Sequence, residues 1–359
     1  MSTNPVSIRK GQPDPTLDHD AFVARYQHQF FDPAFDPMRT QILALAEIAW
    51  GAYKEGRKAP RTHPAGPGYK DPGYELSDEW RAASEAVRAA QERQQRPDTP
   101  SRLLLVCGSP RSEHTCPGEM SKTYRLLEAA HEEALRLGFE CDVLELNRLA
   151  SEYGRAIHPC KACVSTAMPL CHWPCSCYPN HSLGQTQDWM GEIYPRWAAA
   201  HGVIILAPVH WNQATSVLKL MMDRLVCADG GNPDPSSTQG KKPELAKAIE
   251  LDGWDYPQHL AGRAFAVVVH GDTEGAQKSR HALADWLSET GLIEAGSKSQ
   301  VDRYIGYYEP YATSHAALDR DEAIFEETRH AVRSLAERVQ QLRSGITPPG
   351  TRLRTPRKK

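Results

Sequence analysis

Four short apolar runs, each followed by a stretch with helical spacing of its apolar residues, constrain the fold of this chain more than any other feature. The runs lie at 102–107, 141–146, 201–207 and 264–269. The first run ends at Gly108 and is typical of a strand that is buried on both faces of a parallel sheet, and the other three predict a second, a third and a fourth strand. The residues between and after them predict helices at about 121–136, 185–199, 215–227 and 274–290. Because strands that alternate with helices are joined by right-handed crossovers, the sequence predicts an α/β fold with a doubly wound parallel sheet.

The residues after 290 predict how this domain ends. A fifth strand is expected between 293 and 307, where the apolar spacing is less regular. A final helix is expected at about 319–343, because the helical spacing starts near Asp319 and stops before Gly345. We therefore predict an α/β domain at 101–345 and a basic, flexible tail at 346–359.

The first hundred residues have a different character. Residues 1–20 contain three prolines and little apolar periodicity, which is typical of an arm. A helix is predicted from Arg39, and the apolar residues on its one face are Ile42, Leu45, Ala46, Ala49, Trp50 and Tyr53. A second helix is predicted from Ser77, which can cap it, to about Gln95. No catalytic group is evident, so we interpret 1–100 as an arm and helical extension that packs on the main domain or on another subunit.

Charge and hydropathy exclude several classes of partner. The formal net charge is −3, and five basic residues lie in the tail at 351–359, so the rest of the chain is more acidic than the whole. An acidic body is a poor match for a phosphate backbone, and we expect no nucleic-acid partner. No apolar run approaches the ~20 residues of a membrane span, and the N-terminus lacks an export signal. We expect a cytoplasmic protein with no membrane span.

The loop after the first predicted strand has the residues of a phosphate site. It reads Gly108-Ser-Pro-Arg-Ser112 and leads into a helix that begins near Ser121. Hydroxyls, an arginine and a helix N-terminus can together bind a phosphate, and ligands of open α/β sheets bind beyond the carboxyl ends of the strands. The alternative is an ordinary turn with a polar helix cap, because the common nucleotide motifs GxGxxG and GxxxxGK[ST] are absent.

The loop after the third predicted strand suits a planar ligand. It contains Pro208-Val-His-Trp211, followed by Asn212 and Gln213. Such a segment can offer an aromatic and backbone edge to a ring, and the two amides can bind its polar rim.

These motifs, with Leu218-Lys-Leu-Met-Met-Asp-Arg-Leu225, resemble the flavodoxin-like NADPH-dependent FMN reductases over about residues 101–300. The resemblance implies a five-stranded parallel sheet of order 2-1-3-4-5, FMN as cofactor and NAD(P)H as co-substrate. It also implies a homo-oligomer, either a dimer or a tetramer, and a small-molecule electron acceptor. No catalytic side chain is assigned, because the flavin carries the chemistry.

Carried over position by position, the resemblance implies which residues contact FMN. The implied phosphate ligands are Ser109, Arg111, Ser121 and Thr123. The implied ring contacts are Pro208, Val209, His210, Trp211, Asn212 and Gln213. The loop after the fourth predicted strand, with His270 and Gly271, is expected to close over the far edge of the flavin.

A cysteine-rich loop follows the second predicted strand. Its thiols are Cys160, Cys163, Cys171, Cys175 and Cys177. Related iron-sulfur flavoproteins carry a cysteine cluster in this region, with more compact spacing. Three interpretations stay open, which are thiols without a ligand, an iron-sulfur cluster or zinc site, and a redox disulfide.

Two functions of different class follow. The first is an FMN oxidoreductase that uses NAD(P)H to reduce a flavin, a quinone or a similar acceptor. The alternative is an FMN protein, with or without an iron-sulfur cluster, that transfers electrons or senses redox state without nicotinamide activity.

Overall fold

The computed structural model describes residues 16–116, 118–271, 274–306 and 311–346, with residues 311–313 described by their backbone alone. Most of the predicted arm and nearly all of the predicted basic tail lie outside these residues. The strands are β1 (Thr62–Pro64), β2 (Glu75–Ser77), β3 (Arg102–Cys107), β4 (Glu140–Glu145), β5 (Gly202–Pro208), β6 (Ala264–Gly271), β7 (Ile293–Glu294) and β8 (Gln300–Tyr304). The helices are α1 (His19–His28), α2 (Arg39–Lys54), α3 (Asp78–Gln95), α4 (Lys122–Arg136), α5 (Arg148–Ser151), α6 (Met190–Ala199), α7 (Ser216–Arg224), α8 (Pro243–Gly253), α9 (Ala276–Glu289), α10 (Tyr311–Asp319) and α11 (Glu322–Arg343).

The chain forms two compact units. The first unit comprises Met1–Ser84, Lys161–Gly191 and Gly231–Asp255, and the second comprises Glu85–Cys160, Glu192–Gly230 and Tyr256–Lys359. The first unit thus takes two of its three stretches from within the predicted α/β domain. The boundaries at 100 and 345 stay a prediction about domains.

The second unit contains the parallel sheet. Its strand order is β4-β3-β5-β6-β7, with β8 also paired to β6. All of these pairs are parallel. Numbered as the strands of this sheet, the order is 2-1-3-4-5, which confirms the predicted flavodoxin-like topology. The expected fifth strand is divided into β7 and β8, because Gly296 and a short 3-10 turn at Ser297–Ser299 separate the two segments.

Apolar side chains on both faces of the sheet form the core of this unit. Leu105 and Ile204 face the apolar side of α4 and α11, where Leu126, Val332 and Leu335 are fully buried. Trp197 of α6 and Trp286 of α9 contact each other edge to face, with ring centroids 5.9 Å apart. Burial on both faces explains why β3, β5 and β6 read as nearly unbroken apolar runs, whereas the edge strand β4 is partly buried and contains charged residues.

The first unit begins with a helical pair. Phe22 of α1 lies 5.4 Å from Trp50 and 4.9 Å from Tyr53 of α2, measured between ring centroids. Helix α2 buries Ile42, Ala46 and Tyr53 as predicted, but Leu45 is half exposed, because the buried stripe is narrower than the apolar one.

Within the part of the chain that is described, no helix has the length and apolar character that a bilayer crossing requires.

Candidate functional site

A cleft lies beyond the carboxyl ends of β3, β5 and β6, in the second unit. Its walls are formed by Ser109, Pro110, Arg111, Ser121, Lys122, Thr123, Pro208, Val209, His210, His270 and Gly271. The cleft encloses about 600 Å³, counting the part that is open to solvent.

The loop after β3 brings a hydroxyl and a cation to this cleft. The Ser109 hydroxyl accepts a hydrogen bond from the Arg111 backbone N–H at 3.2 Å. The Arg111 guanidinium donates to a carboxylate oxygen of Glu119 at 3.1 Å, and both side chains are partly exposed. The positive charge of Arg111 is therefore already balanced by the Glu119 carboxylate. An anionic ligand would have to compete with this carboxylate for the guanidinium.

The N-terminus of α4 supplies the other polar groups. Ser121 caps the helix, because its hydroxyl accepts from the Tyr124 N–H at 3.1 Å. Lys122, which the sequence-based assignment omitted, is only 6 % exposed and lines the cleft. Its ammonium donates to the Ser314 hydroxyl of α10 at 3.0 Å. A nearly buried cation at the positive end of a helix favours an anionic ligand. The signal in the sequence was a lysine directly after the helix cap.

His270, at the end of β6, is a buried and neutral histidine. Its Nε2 shares a hydrogen bond of 2.7 Å with the Thr123 hydroxyl, and both residues are nearly inaccessible to solvent. Burial, followed by the positive charge of Lys122, lowers the pKa of His270 to about 3. His270 thus holds the Thr123 side chain in place without adding a charge at neutral pH.

The loop after β5 turns back at a two-residue corner. The backbones of His210 and Gln213 exchange two hydrogen bonds, of 3.0 and 2.9 Å. Trp211 and Asn212 between them have φ values of +50° and +63°, as the corner of a type I′ turn requires. The Trp211 side chain consequently projects outward and is 95 % exposed.

The structure brings nine of the twelve predicted FMN contacts to one cleft. They are Ser109, Arg111, Ser121, Thr123, Pro208, Val209, His210, His270 and Gly271. Trp211, Asn212 and Gln213 are outside the cleft lining, because the turn directs them away from it. The donor set fits a flavin phosphate, since hydroxyls, two cations and a helix N-terminus converge, while Pro208 and Val209 offer an apolar edge to a ring.

Buried neutral histidines make the stability of the second unit depend on pH. His201 accepts a hydrogen bond from the Arg102 N–H at 3.0 Å, and its other nitrogen lies 3.0 Å from the Gln94 carbonyl, to which it must donate. Burial, with the charge of Arg343 next, lowers the pKa of His201 to about 4. The unfolded chain therefore binds more protons than the folded chain below pH 6.5.

We expect acid to destabilise the protein through both histidines. Between pH 6.5 and 5, His270 should remove about 1.5 kcal/mol of the free energy of unfolding, and His201 a similar amount. Urea denaturation across this pH range measures the loss. His270→Gln should remove about half of it, and the exposed His281→Gln should leave it unchanged. An equal pH dependence in all three proteins would contradict the assignment.

The cysteine-rich loop belongs to the first unit from Lys161 onward, whereas Cys160 is part of the second. Both ring nitrogens of His172 are hydrogen-bonded, to Ser176 and Thr238, and the Nε2 of His181 is bonded to Glu79. Across the described residues, no three His, Cys, Asp or Glu side chains are arranged to hold a metal ion. A metal or cluster on these cysteines stays a prediction from the sequence.

Comparison with known proteins finds several that are similar to this chain. An iron-sulfur flavoprotein of Methanosarcina thermophila is 25% identical over 198 residues, which are 55% of this chain and 78% of that protein. The solved structure of RosB with bound 8-demethyl-8-formylriboflavin-5'-phosphate is similar at 14% identity and a TM-score of 0.47, over 69% of this chain and 82% of RosB. An NAD(P)H:quinone oxidoreductase from Methanothermobacter marburgensis is similar at 15% identity and a TM-score of 0.38, over 66% of this chain and 96% of that one.

A sequence model of one family matches more than half of the chain. The match covers residues 101–304, and the family is described as NADPH-dependent FMN reductase. These residues include all five strands of the predicted sheet and every residue that lines the cleft. The chain therefore belongs to the NADPH-dependent FMN reductase family.

Proposed function

We propose that the protein is an FMN-dependent oxidoreductase that uses NAD(P)H to reduce a flavin, a quinone or a similar small-molecule acceptor. The observation that carries the proposal is the cleft beyond β3, β5 and β6, where two cations and three hydroxyls meet an apolar backbone edge. Family membership supports FMN as the ligand and oxidoreduction as the reaction.

The chain's own residues would hold the cofactor. FMN, when bound, supplies the hydride and electron chemistry of the reaction. Lys122 and Arg111 would bind its phosphate by charge-assisted hydrogen bonds, with the hydroxyls of Ser109 and Ser121 beside them. Thr123, positioned by neutral His270, would add a further hydroxyl. Pro208 and Val209 would orient the ring.

The proposal includes a cytoplasmic homo-oligomer. Members of this family commonly assemble so that one subunit covers only part of the ring, as the resemblance implies, and the exposed Trp211 corner fits such a role. A cytoplasmic site of action agrees with the nine cysteines, none of which forms a disulfide in the described chain. Sedimentation of the FMN-loaded protein tests the assembly, and a monomer with full NADPH oxidation would contradict it.

The alternative function is electron transfer or redox sensing by FMN without nicotinamide. One observation favours it, namely the group of thiols in the first unit that share the cation Lys241. An iron-sulfur cluster or zinc would strengthen this alternative, but among the described residues no three possible ligands are arranged to hold a metal ion.

One experiment separates the two functions. We expect protein purified without air to show flavin absorption, and NADPH or NADH to bleach it within the time of catalysis. Bound flavin that neither nicotinamide reduces would favour electron transfer. A colourless protein that also fails to bind added FMN would reject both.

The ion pair of Arg111 and Glu119 predicts opposite effects of two substitutions. Arg111→Ala should weaken FMN binding about tenfold, because one charge-assisted hydrogen bond contributes ~1.5 to 3 kcal/mol and Glu119 offsets part of it. Glu119→Gln should strengthen binding by a few fold, since it removes the competing carboxylate. Fluorescence titration with FMN measures both. If Glu119→Gln also weakens binding, the pair has a structural role and Arg111 does not face the phosphate.

The exposure of Trp211 predicts that it matters for activity rather than for stability. Trp211→Ala should change the free energy of unfolding by less than about 0.5 kcal/mol, as is usual for exposed positions, because the side chain is 95 % exposed. NADPH-driven flavin reduction should slow, because in the proposed homo-oligomer this exposed ring would cover part of the flavin that a single cleft leaves open. Stopped-flow reduction and urea denaturation of the same protein test both parts. Unchanged reduction kinetics would remove Trp211 from the site.

A further inference from the structure

We propose that Cys163 and Cys177 form a redox-active dithiol that exchanges with low-molecular-weight disulfides. The proposal concerns the first unit alone and does not depend on the flavin site. It assigns a chemical role to the cysteine-rich loop, which the proposed function leaves unused.

The two sulfurs are already in contact. The Sγ atoms of Cys163 and Cys177 lie 3.4 Å apart, which is a non-bonded distance that a bond of about 2.05 Å would shorten by little more than 1 Å. Cys163 is partly exposed, whereas Cys177 is 7% exposed. An accessible thiol beside a buried one has the arrangement of an attacking and a resolving cysteine.

The loop lies in a positively charged environment. The Lys241 ammonium donates to the Leu170 carbonyl at 2.5 Å. Lys58 donates to the Ser176 carbonyl, and the Lys161 ammonium lies 5.0 Å from the centre of the Tyr178 ring. Cysteines become reactive in partly exposed sites near cations, because the thiolate is the nucleophile.

Lys241 belongs to this environment. Burial lowers the pKa of Lys241, but its electrostatic interactions with four cysteines raise it by more, and the net shift is upward. The four are Cys177, Cys163, Cys175 and Cys171.

The same residues argue against a metal as the occupant of this loop. Both ring nitrogens of the nearby His172 are hydrogen-bonded to protein groups, and no three possible ligands converge among the described residues. A sulfur pair at contact distance is what a disulfide needs, whereas a tetrahedral zinc site needs four ligands around one point.

The exchange takes two steps and conserves atoms and electrons. The Cys163 thiolate attacks one sulfur of a disulfide such as oxidised glutathione, forms a mixed disulfide and releases one glutathione thiolate. The Cys177 thiolate then attacks Cys163 Sγ, forms the internal disulfide and releases the second glutathione. The protein dithiol loses two electrons and two protons, and one oxidised glutathione becomes two reduced molecules.

The test is a redox titration of the full-length protein as purified. After equilibration with mixtures of reduced and oxidised glutathione, remaining thiols are alkylated and the protein is digested. Trypsin leaves all four thiols on one peptide, 162–196, so cleavage by chymotrypsin after Leu170 is needed to separate Cys163 from the others. We expect a disulfide that links Cys163 to Cys177. Cys163→Ser and Cys177→Ser should each abolish it, and Cys171→Ser and Cys175→Ser should retain it.

A kinetic control keeps the proposal testable if a cysteine variant fails to fold. In the reduced protein without substitutions, Cys163 should be alkylated faster than Cys177, because Cys163 is partly exposed and Cys177 is 7% exposed. The proposal is overturned if all four thiols stay reduced in oxidised glutathione, if Cys177 is alkylated before Cys163, or if these thiols hold stoichiometric iron or zinc.

Discussion

Replacing Lys122 with methionine is expected to lower the affinity of the protein for FMN by about 100-fold. A charge-assisted hydrogen bond to a phosphate contributes ~1.5 to 3 kcal/mol, and each 1.4 kcal/mol is about a factor of ten in Kd. Lys122 should reach the upper part of this range because it is 6 % exposed and begins helix α4, so that water screens its charge little.

The effect is also expected to be specific for the phosphate. Riboflavin has the same ring but no phosphate, so the original protein and the Lys122→Met variant should bind riboflavin with equal affinity. Methionine has a similar length and keeps the apolar packing, and removal of a nearly buried cation should not destabilise the fold. Titration with both ligands measures the difference, and the exposed Lys298→Met serves as the control. A parallel loss of riboflavin and FMN binding would show that Lys122 shapes the cleft and does not bind the phosphate.

Gly275→Ala is expected to cost about 4 kcal/mol of the free energy of unfolding. Gly275 precedes α9 with a φ of +114°, where a side chain adds strain of ~1 to 3 kcal/mol. A Cβ at this position would also lie 2.7 Å from Asn212 Cα and 2.9 Å from its Oδ1. Overpacking of this kind costs ~1 to 3 kcal/mol more, because the nearest atom belongs to the backbone.

A second glycine separates these two costs. Gly253 has a φ of +115°, close to that of Gly275, but no atom lies within 4 Å of the position that its Cβ would take. Gly253→Ala should therefore show the conformational cost without a clash, and the difference between the variants in urea denaturation reports the cost of the contact with Asn212. Gly275→Ala should also weaken FMN binding, since Val209 lies 3.1 Å from the added Cβ and lines the cleft. Equal stability of the two variants would mean that the loop after β5, which contains Asn212, shifts freely away from α9.

The local pattern of the sequence was sufficient for most of the fold. Strands β3, β5 and β6 are almost completely buried, so each appears as an apolar run that cannot be taken for an exposed strand. The cap of α4 by Ser121 was predictable for a similar reason, because the signal lies within one helical turn. Helix α1 was missed, since it buries no residue completely and its apolar pattern is weak.

The composition of the cleft depended on tertiary structure. Sequence motifs identified nine lining residues, but only the fold shows that Lys122 is buried beside His270 and that Glu119 pairs with Arg111. The turn at Trp211 and Asn212 depends on a backbone conformation with positive φ that no motif specified. This turn directs the Trp211 side chain, which the sequence predicted to contact the flavin ring, into solvent.

What the sequence alone determined about this protein is therefore the order of its strands and helices and the loops that bear polar groups, since both follow from contacts between near neighbours in the chain. What only the tertiary structure decided is which charged and polar side chains meet. Lys241 and Cys163 are separated by more than 70 residues, and Thr123 and His270 by 147. The pKa shifts that give such groups their chemistry arise from burial and from charges distant in sequence, which only the folded chain brings together.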